Sequence, residues 1–175
     1  GLIVLGFVSP DKMLTKGGAR VGDKLVLSKP LGFGVTTTAL KGGVARDEDV
    51  AEAVQWMKRL NKQAAELALA FGAHAMTDIT GFSLLGHGWE MASASGAGFR
   101  LAYGRIPFVG GATRYAEQWL FPGGASDNAS YFAHHVRWAP ELDEASRMLL
   151  FDPQTSGGLL MAVPPERVGA LLEQA

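Results

Sequence analysis

The chain contains no cysteine. That excludes disulfides, cysteine-based zinc sites and a cysteine nucleophile, but it does not by itself fix the compartment. Charge of either sign is also in short supply. The 16 basic and 17 acidic residues leave a formal net charge of −1, which gives no electrostatic footprint for nucleic acid or an anionic membrane. No apolar stretch approaches the ~20 residues needed to cross a bilayer. Residues 1–8 are too short for a secretion-signal core and have no basic flank. What the chain does have is 47% apolar residues over 175 positions, enough for one domain with a real core. Its 23 glycines exceed the average usage of ~7%. They cluster at turns rather than in low-complexity runs, which points to order.

Strands and helices alternate along the sequence. Residues 2–8 read as a strand, Lys12 to Gly22 as a loop and Lys24 to Ser28 as a second strand. Val35 to Leu40 suits a short helix. The longest helix is expected from Asp47 to Phe71: Val50, Val54, Met57, Leu60, Ala64, Leu67 and Phe71 recur at three- and four-residue steps. Asp47, Glu48 and Asp49 favour the dipole at its start, and Gly72 is placed to end it. A short strand from Ala75 to Ile79 follows, then a helix from Leu84 to Ala94 closed by Gly96 and Gly98. Beyond these come a strand at Phe99 to Tyr103, helices at Gly111 to Leu120 and Glu141 to Leu149, a buried strand at Leu159 to Val163, and a last helix from Glu166 entered through Pro164-Pro165. This order predicts an α/β or α+β layered domain, a mixed sheet covered by helices. There is no internal repeat and no clear linker.

Three strings carry chemistry or tight turns. Thr77-Asp78-Ile79-Thr80-Gly81-Phe82-Ser83-Leu84-Leu85-Gly86-His87 sets a carboxylate at a strand end before a glycine turn and a helix. Such a place suits a magnesium ion and the phosphates it carries. The others are Leu150-Phe151-Asp152-Pro153-Gln154-Thr155-Ser156-Gly157-Gly158-Leu159-Leu160 and Gly22-Asp23-Lys24-Leu25-Val26-Leu27-Ser28-Lys29-Pro30-Leu31-Gly32. Together, in this order and spacing, they closely resemble the selenophosphate synthetase (selenide, water dikinase) family over nearly the whole chain. Thiamine monophosphate kinase and aminoimidazole ribonucleotide synthetase are weaker matches.

The resemblance implies a C-terminal domain of an enzyme that converts selenide, ATP and water to selenophosphate, AMP and phosphate. The family's N-terminal half carries a reactive cysteine or selenocysteine, a nearby lysine, a glycine-rich segment and further aspartates. The chain opens on an apolar run without an initiator Met and stops inside an expected helix. The expectation is therefore a single domain over residues 1–175, trimmed at both ends, with the ATP-binding and catalytic domain absent. No catalytic residue is expected within it. The resemblance further implies ATP and Mg2+, a cytoplasmic setting, and a homodimer paired mainly through the N-terminal half. The chain alone is then expected to be a monomer, inactive, with neither nucleic acid nor membrane as partner.

On the pattern alone, Asp78 reads as an Asp capping the turn after it; the resemblance makes it the metal ligand instead. Thr80 and Gly81 stand open between shaping a phosphate pocket and plain turn chemistry. Ser83 replaces the family's usual glycine, so a positive φ there would strain the turn. His87 reads first as a packed helical histidine and second as a functional one. His134-His135 reads as surface, because neighbouring side chains diverge. Asn128-Ala129-Ser130 matches a glycosylation acceptor, which means little without a secretory context. Lys29 reads as a solvated strand end. Asp152 to Gly158 reads as a tight connection, with lining of the ATP cleft as its alternative. The dispersed tryptophans read as packing. A second function of another class stays open: a free-standing domain that binds a nucleotide or a partner without turnover.

Overall fold

The computed structural model describes residue 3 and residues 5–175, the side chain of residue 11 excepted. Three strands form one sheet in the order β1-β3-β2: β1 is Lys24–Leu27, β2 Ala75–Asp78 and β3 Leu159–Val163. Both pairings are antiparallel. Lys24 faces Val163 and Leu27 faces Leu160 in one ladder; Ala75 faces Ala162 and Asp78 faces Leu159 in the other. The layered α/β class therefore holds. Among the described residues, parallel pairing, which a mixed sheet needs, enters only as an isolated bridge between Leu31 and Phe108.

The central strand explains the layers. Leu159-Leu160-Met161-Ala162-Val163 is apolar throughout and buried at every position, as a strand covered on both faces must be. Leu160 and Ala162 join one cluster with Ala75, Ile79, Leu84, Met91 and Phe132. Leu159, Met161 and Val163 join another with Ala68 and Leu171. Helices α4 (Ser83–Ser95) and α6 (Gly123–Phe132) thus cover one face, and α3 (Lys62–Ala70) and α8 (Pro165–Glu173) the other. Each fully buried Leu or Met side chain contributes roughly 1.5–3 kcal/mol. A third cluster gathers Phe33, Val35 and Ala39 of α1 (Phe33–Lys41), Ala53 of α2 (Asp47–Lys58), Ala112, Tyr115 and Ala116 of α5 (Ala112–Glu117) and Leu149 of α7 (Glu144–Leu149). Tyr115 ties α5 to α2: its hydroxyl donates to the buried Asp49 and accepts the Arg46 N–H at 2.9 Å.

Four sequence expectations are corrected. The strand over residues 2–8 is not formed at residue 3 or residues 5–8, and residues 2 and 4 lie outside the described residues. The single helix from Asp47 to Phe71 is two helices, broken at Arg59, whose ψ of 124° is extended. No glycine or proline marks the break. It is held from outside, where Ser156 Oγ donates to the Met57 carbonyl (2.7 Å) and Asn61 Nδ2 donates to the Gly157 carbonyl (2.9 Å). Phe99 to Tyr103 is not a strand. Phe99, Leu101 and Tyr103 pack against the α4-side cluster, but their backbone has no ladder partner among the described residues. Lys29 is buried, and its ammonium donates to the Ser156 carbonyl at 2.9 Å. Desolvation, and then the nearby Arg59, lower its pKa. Of the tryptophans, Trp56, Trp89 and Trp138 pack on the clusters, whereas Trp119 is half exposed.

The connection Asp152 to Gly158 is the hub of these contacts. Gln154 Oε1 accepts the Gly32 and Phe33 N–H groups, both at 3.0 Å, and Asp152 Oδ2 accepts that of Gly34 at 2.9 Å. A segment more than a hundred residues away in sequence thus caps the start of α1, which has no cap of its own. The fit needs glycine at two close approaches. A Cβ on Gly157 would collide with the Ile79 carbonyl, and one on Gly34 with the Asp152 carboxylate.

Burial raises the Asp152 pKa to about 7 against the hydrogen bonds that lower it. A carboxyl group whose folded pKa lies above its unfolded value binds more protons when folded, so its contribution falls as pH rises from about 4 to about 7 and then levels off. Asp152→Asn removes that dependence. The melting temperature of the variant relative to the parent should therefore rise between pH 5 and pH 8, by the equivalent of a few kcal/mol at most. A difference that stays flat with pH would show that Asp152 is ionised throughout.

Ser83 is the second testable strain. It has φ +60° and is fully buried, and its hydroxyl finds no partner among the described residues. The left-handed backbone costs a non-glycine residue roughly 1–2 kcal/mol, and the unpaired hydroxyl adds to that. Ser83→Gly should stabilise the domain by about 1 kcal/mol after the entropy of an extra glycine is subtracted. Thermal denaturation of the two chains checks this, and an unchanged or lower melting temperature contradicts it.

Candidate functional site

Period-two alternation places Asp78. Along β2, Ala75 and Thr77 point into the core and Asp78 outward, the last residue of the strand. The turn that follows is clamped on several sides. The Ile79 N–H donates to the Gly158 carbonyl (2.8 Å), and the Thr80 carbonyl accepts from the N–H groups of Gln154 and Ser83 (3.0 Å each). The Gly81 carbonyl accepts from Asn128 Nδ2 at 2.8 Å. The same amide donates to the Phe151 carbonyl, so buried Asn128 is a structural clamp. The exposed carboxylate of Asp78 therefore stands on a rigid base.

A chain of polar side chains runs away from it. The Thr80 hydroxyl donates to Asp78 Oδ2 at 2.7 Å and lies 3.2 Å from His87 Nε2. The Phe82 N–H also reaches that nitrogen, at 3.3 Å. On the far side of the ring, His87 Nδ1 is 3.1 Å from Glu90 Oε2, which takes a salt bridge from Lys16 Nζ at 2.8 Å. His87 itself is buried in α4, its ring 5.3 Å from that of Phe82.

The electrostatics favour an ionised Asp78. Partial burial opposes its charge, but the hydrogen bond from the Thr80 hydroxyl, with Lys16 further off, holds its pKa below the ordinary aspartate value. Glu90 follows the same balance: burial opposes, hydrogen bonds from Lys16 and His87 prevail, and its pKa is lowered. Asp78 is thus an exposed hard-oxygen donor of full charge, the chemistry magnesium selects. Among the described residues no three His, Asp or Glu side chains are grouped to hold a metal, so the turn offers one carboxylate and no more.

The structure brings Asp78 and Thr80 into direct contact and leaves Gly81 exposed beside them, with no atom within 4 Å of where a Cβ would sit. It joins His87, read from the sequence first as packed and second as functional, to two residues not singled out there, Glu90 and Lys16. His87 and Glu90, one helical turn apart, offered a legible signal in their spacing. Lys16 offered none, being 74 residues from Glu90. His134 and His135 are on the surface, as expected, but their side chains do not diverge: the two rings lie 3.9 Å apart, and His135 also stacks on Trp89 at 4.3 Å.

Residues 20–175 match the family described as AIR synthase related protein, C-terminal domain. The chain is 47% identical over 165 residues to a selenide, water dikinase of Trichlorobacter lovleyi, covering 94% of the chain and 47% of that protein. It is 46% identical over 171 residues to a selenide, water dikinase of Caldanaerobacter subterraneus subsp. tengcongensis, covering 98% and 49%. The chain spans about half the length of the curated relatives it matches. Among solved structures, the hydrogenase maturation protein HypE superposes with a TM-score of 0.63 at 22% identity, covering 96% of this chain and 43% of that one. A thiamine-monophosphate kinase from Stenotrophomonas maltophilia K279a does so with 0.54 at 18%, covering 95% and 47%. Those two likenesses speak for the fold alone. With a central antiparallel sheet between helical layers and a match over nearly its whole length, the chain belongs to the AIR synthase related protein, C-terminal domain family, and its curated relatives are selenide, water dikinases.

Proposed function

We propose that this domain is the C-terminal half of a selenophosphate synthetase and that Asp78 supplies one magnesium ligand to bound ATP. The observation that carries the reading is the ionised, exposed carboxylate on a clamped turn at a strand end. The names of the relatives support the reaction: selenide, ATP and water give selenophosphate, AMP and phosphate. Magnesium, when bound, would neutralise phosphate charge as phosphoryl groups transfer. Asp78 would hold it through carboxylate oxygen. Thr80 would orient that carboxylate, and Gly81 would leave room for phosphate oxygens over the turn.

One carboxylate cannot complete a magnesium site, which supports the reading that further ligands and the nucleophile lie in an N-terminal half of the same protein. On this proposal the domain's partners are that half, ATP and selenide. The intact enzyme is a cytoplasmic homodimer paired through the N-terminal halves, and the 175-residue chain alone is a monomer without turnover. Ile3, Leu5 and Phe7 are strongly exposed apolar residues, a surface suited to cover by another domain.

The test pairs two measurements. Asp78→Asn in an intact enzyme carrying this domain should lower AMP formation from selenide and magnesium-ATP by about 100-fold or more. The same change in the 175-residue chain should leave melting unchanged or raised, since an exposed carboxylate without its metal adds little to folding. Near-normal turnover together with a destabilised chain would make Asp78 a turn cap. Any AMP formed by the 175-residue chain alone would overturn the division of labour between the halves.

A further inference from the structure

We infer that His87 is a positioning residue, accepting the Phe82 N–H at Nε2 and carrying its proton on Nδ1, and that this tautomer fixes how Asp78 presents its carboxylate. The inference rests on the reading of Asp78 as a ligand. It goes beyond it by naming the group that orients the ligand and the oxygen left to bind.

The argument is a count of protons. The Phe82 N–H can only donate, and it approaches His87 Nε2. That nitrogen must therefore offer a lone pair. The ring proton then sits on Nδ1, where Glu90 Oε2 stands ready as its acceptor. Lys16, bound to the same oxygen, keeps Glu90 an anion and so an acceptor. Thr80 has one hydroxyl proton and two candidates for it, Asp78 Oδ2 at 2.7 Å and His87 Nε2 at 3.2 Å. With Nε2 engaged by Phe82, the shorter contact to the charged oxygen wins. Thr80 then engages one lone pair of Asp78 Oδ2, so Oδ1 is the oxygen this contact leaves to a cation.

The burial of the ring gives the arrangement its rigidity. His87 lies under Phe82 at the start of α4. Its bond to the Phe82 N–H fixes the far end of the same turn whose near end is Asp78. Outer-shell hydrogen bonds of this kind set ligand direction, and their loss typically costs about 10- to 100-fold in metal affinity.

The variants that separate this role from simple packing are His87→Gln and His87→Asn. A glutamine carbonyl reaches the place of Nε2 and accepts the Phe82 N–H. An asparagine side chain reaches only the place of Nδ1 and can serve Glu90 alone. In an intact enzyme carrying this domain, the apparent magnesium affinity measured by AMP formation should fall about 10- to 100-fold for His87→Asn and stay within about three-fold of the parent for His87→Gln. Equal effects of the two changes would overturn the inference, as would no effect of either. If Asp78→Asn leaves turnover intact, the ligand reading fails and takes the positioning role with it. If Asp78→Asn abolishes turnover while His87→Asn does not weaken magnesium, only the positioning role fails. Long-range 1H–15N spectra of the unmutated 175-residue chain decide the tautomer directly, whatever the variants do to folding. A proton on Nδ1 with Nε2 bare is expected, and a proton on Nε2 overturns the assignment.

Discussion

Two side chains from one short connection, Asp152 and Gln154, take up the three backbone N–H groups at the start of α1. Much of the fold hangs on that connection. Its neighbours Ser156 and Gly157 hold the break between α2 and α3. Its Gly158 receives the Ile79 N–H, and its Gln154 N–H goes to the turn after Asp78. Buried backbone groups must find partners. Here one loop supplies them to α1, the α2–α3 junction and the site turn at once. The three strings singled out in the sequence are thus parts of one contact network, and the string without obvious chemistry is the one that joins the other two.

That organisation bears on Asp152. A fully buried carboxyl group is costly when charged, and donors from the start of α1 and from Gln154 compensate it. A hydrophobic residue there would leave the Gly34 N–H without its acceptor. The site turn inherits its stiffness from this arrangement, since the Thr80 carbonyl is held by the same loop. Ser83 shows the opposite economy: it tolerates a left-handed backbone and a lone hydroxyl because the packing around it over-determines its place.

How much was legible depended on whether the determinant was local. β3 was plain from five successive apolar residues bounded by glycines and prolines. The ends of α4 were readable from Gly81 and Gly96, and the positive φ at Ser83 was raised by its standing where the resembled family has glycine. The break after Lys58 was not readable, because the helical period continues across it and the groups that hold it lie about a hundred residues away. The strand expected at Phe99 to Tyr103 has the right alternation but no neighbour to pair with, and alternation cannot report a missing neighbour. Lys29 looked solvated because its burial depends on Ser156. At the site, Asp78 and Thr80 were legible from their strings. The link from His87 through Glu90 to Lys16 needed the packing of a distant loop.

The order of strands in the sheet also differs from their order in the chain. β3, the last of them to be synthesised, lies between β1 and β2, so neither early strand has a sheet partner until residues 159–163 exist. Loop closure over such separations is slow and is rewarded only once the long-range pairs form. The turn that carries Asp78 takes its supports from Gln154 and Gly158 of the same late segment. During synthesis the residues for the site are complete early, but the shape of the site waits for almost the whole chain.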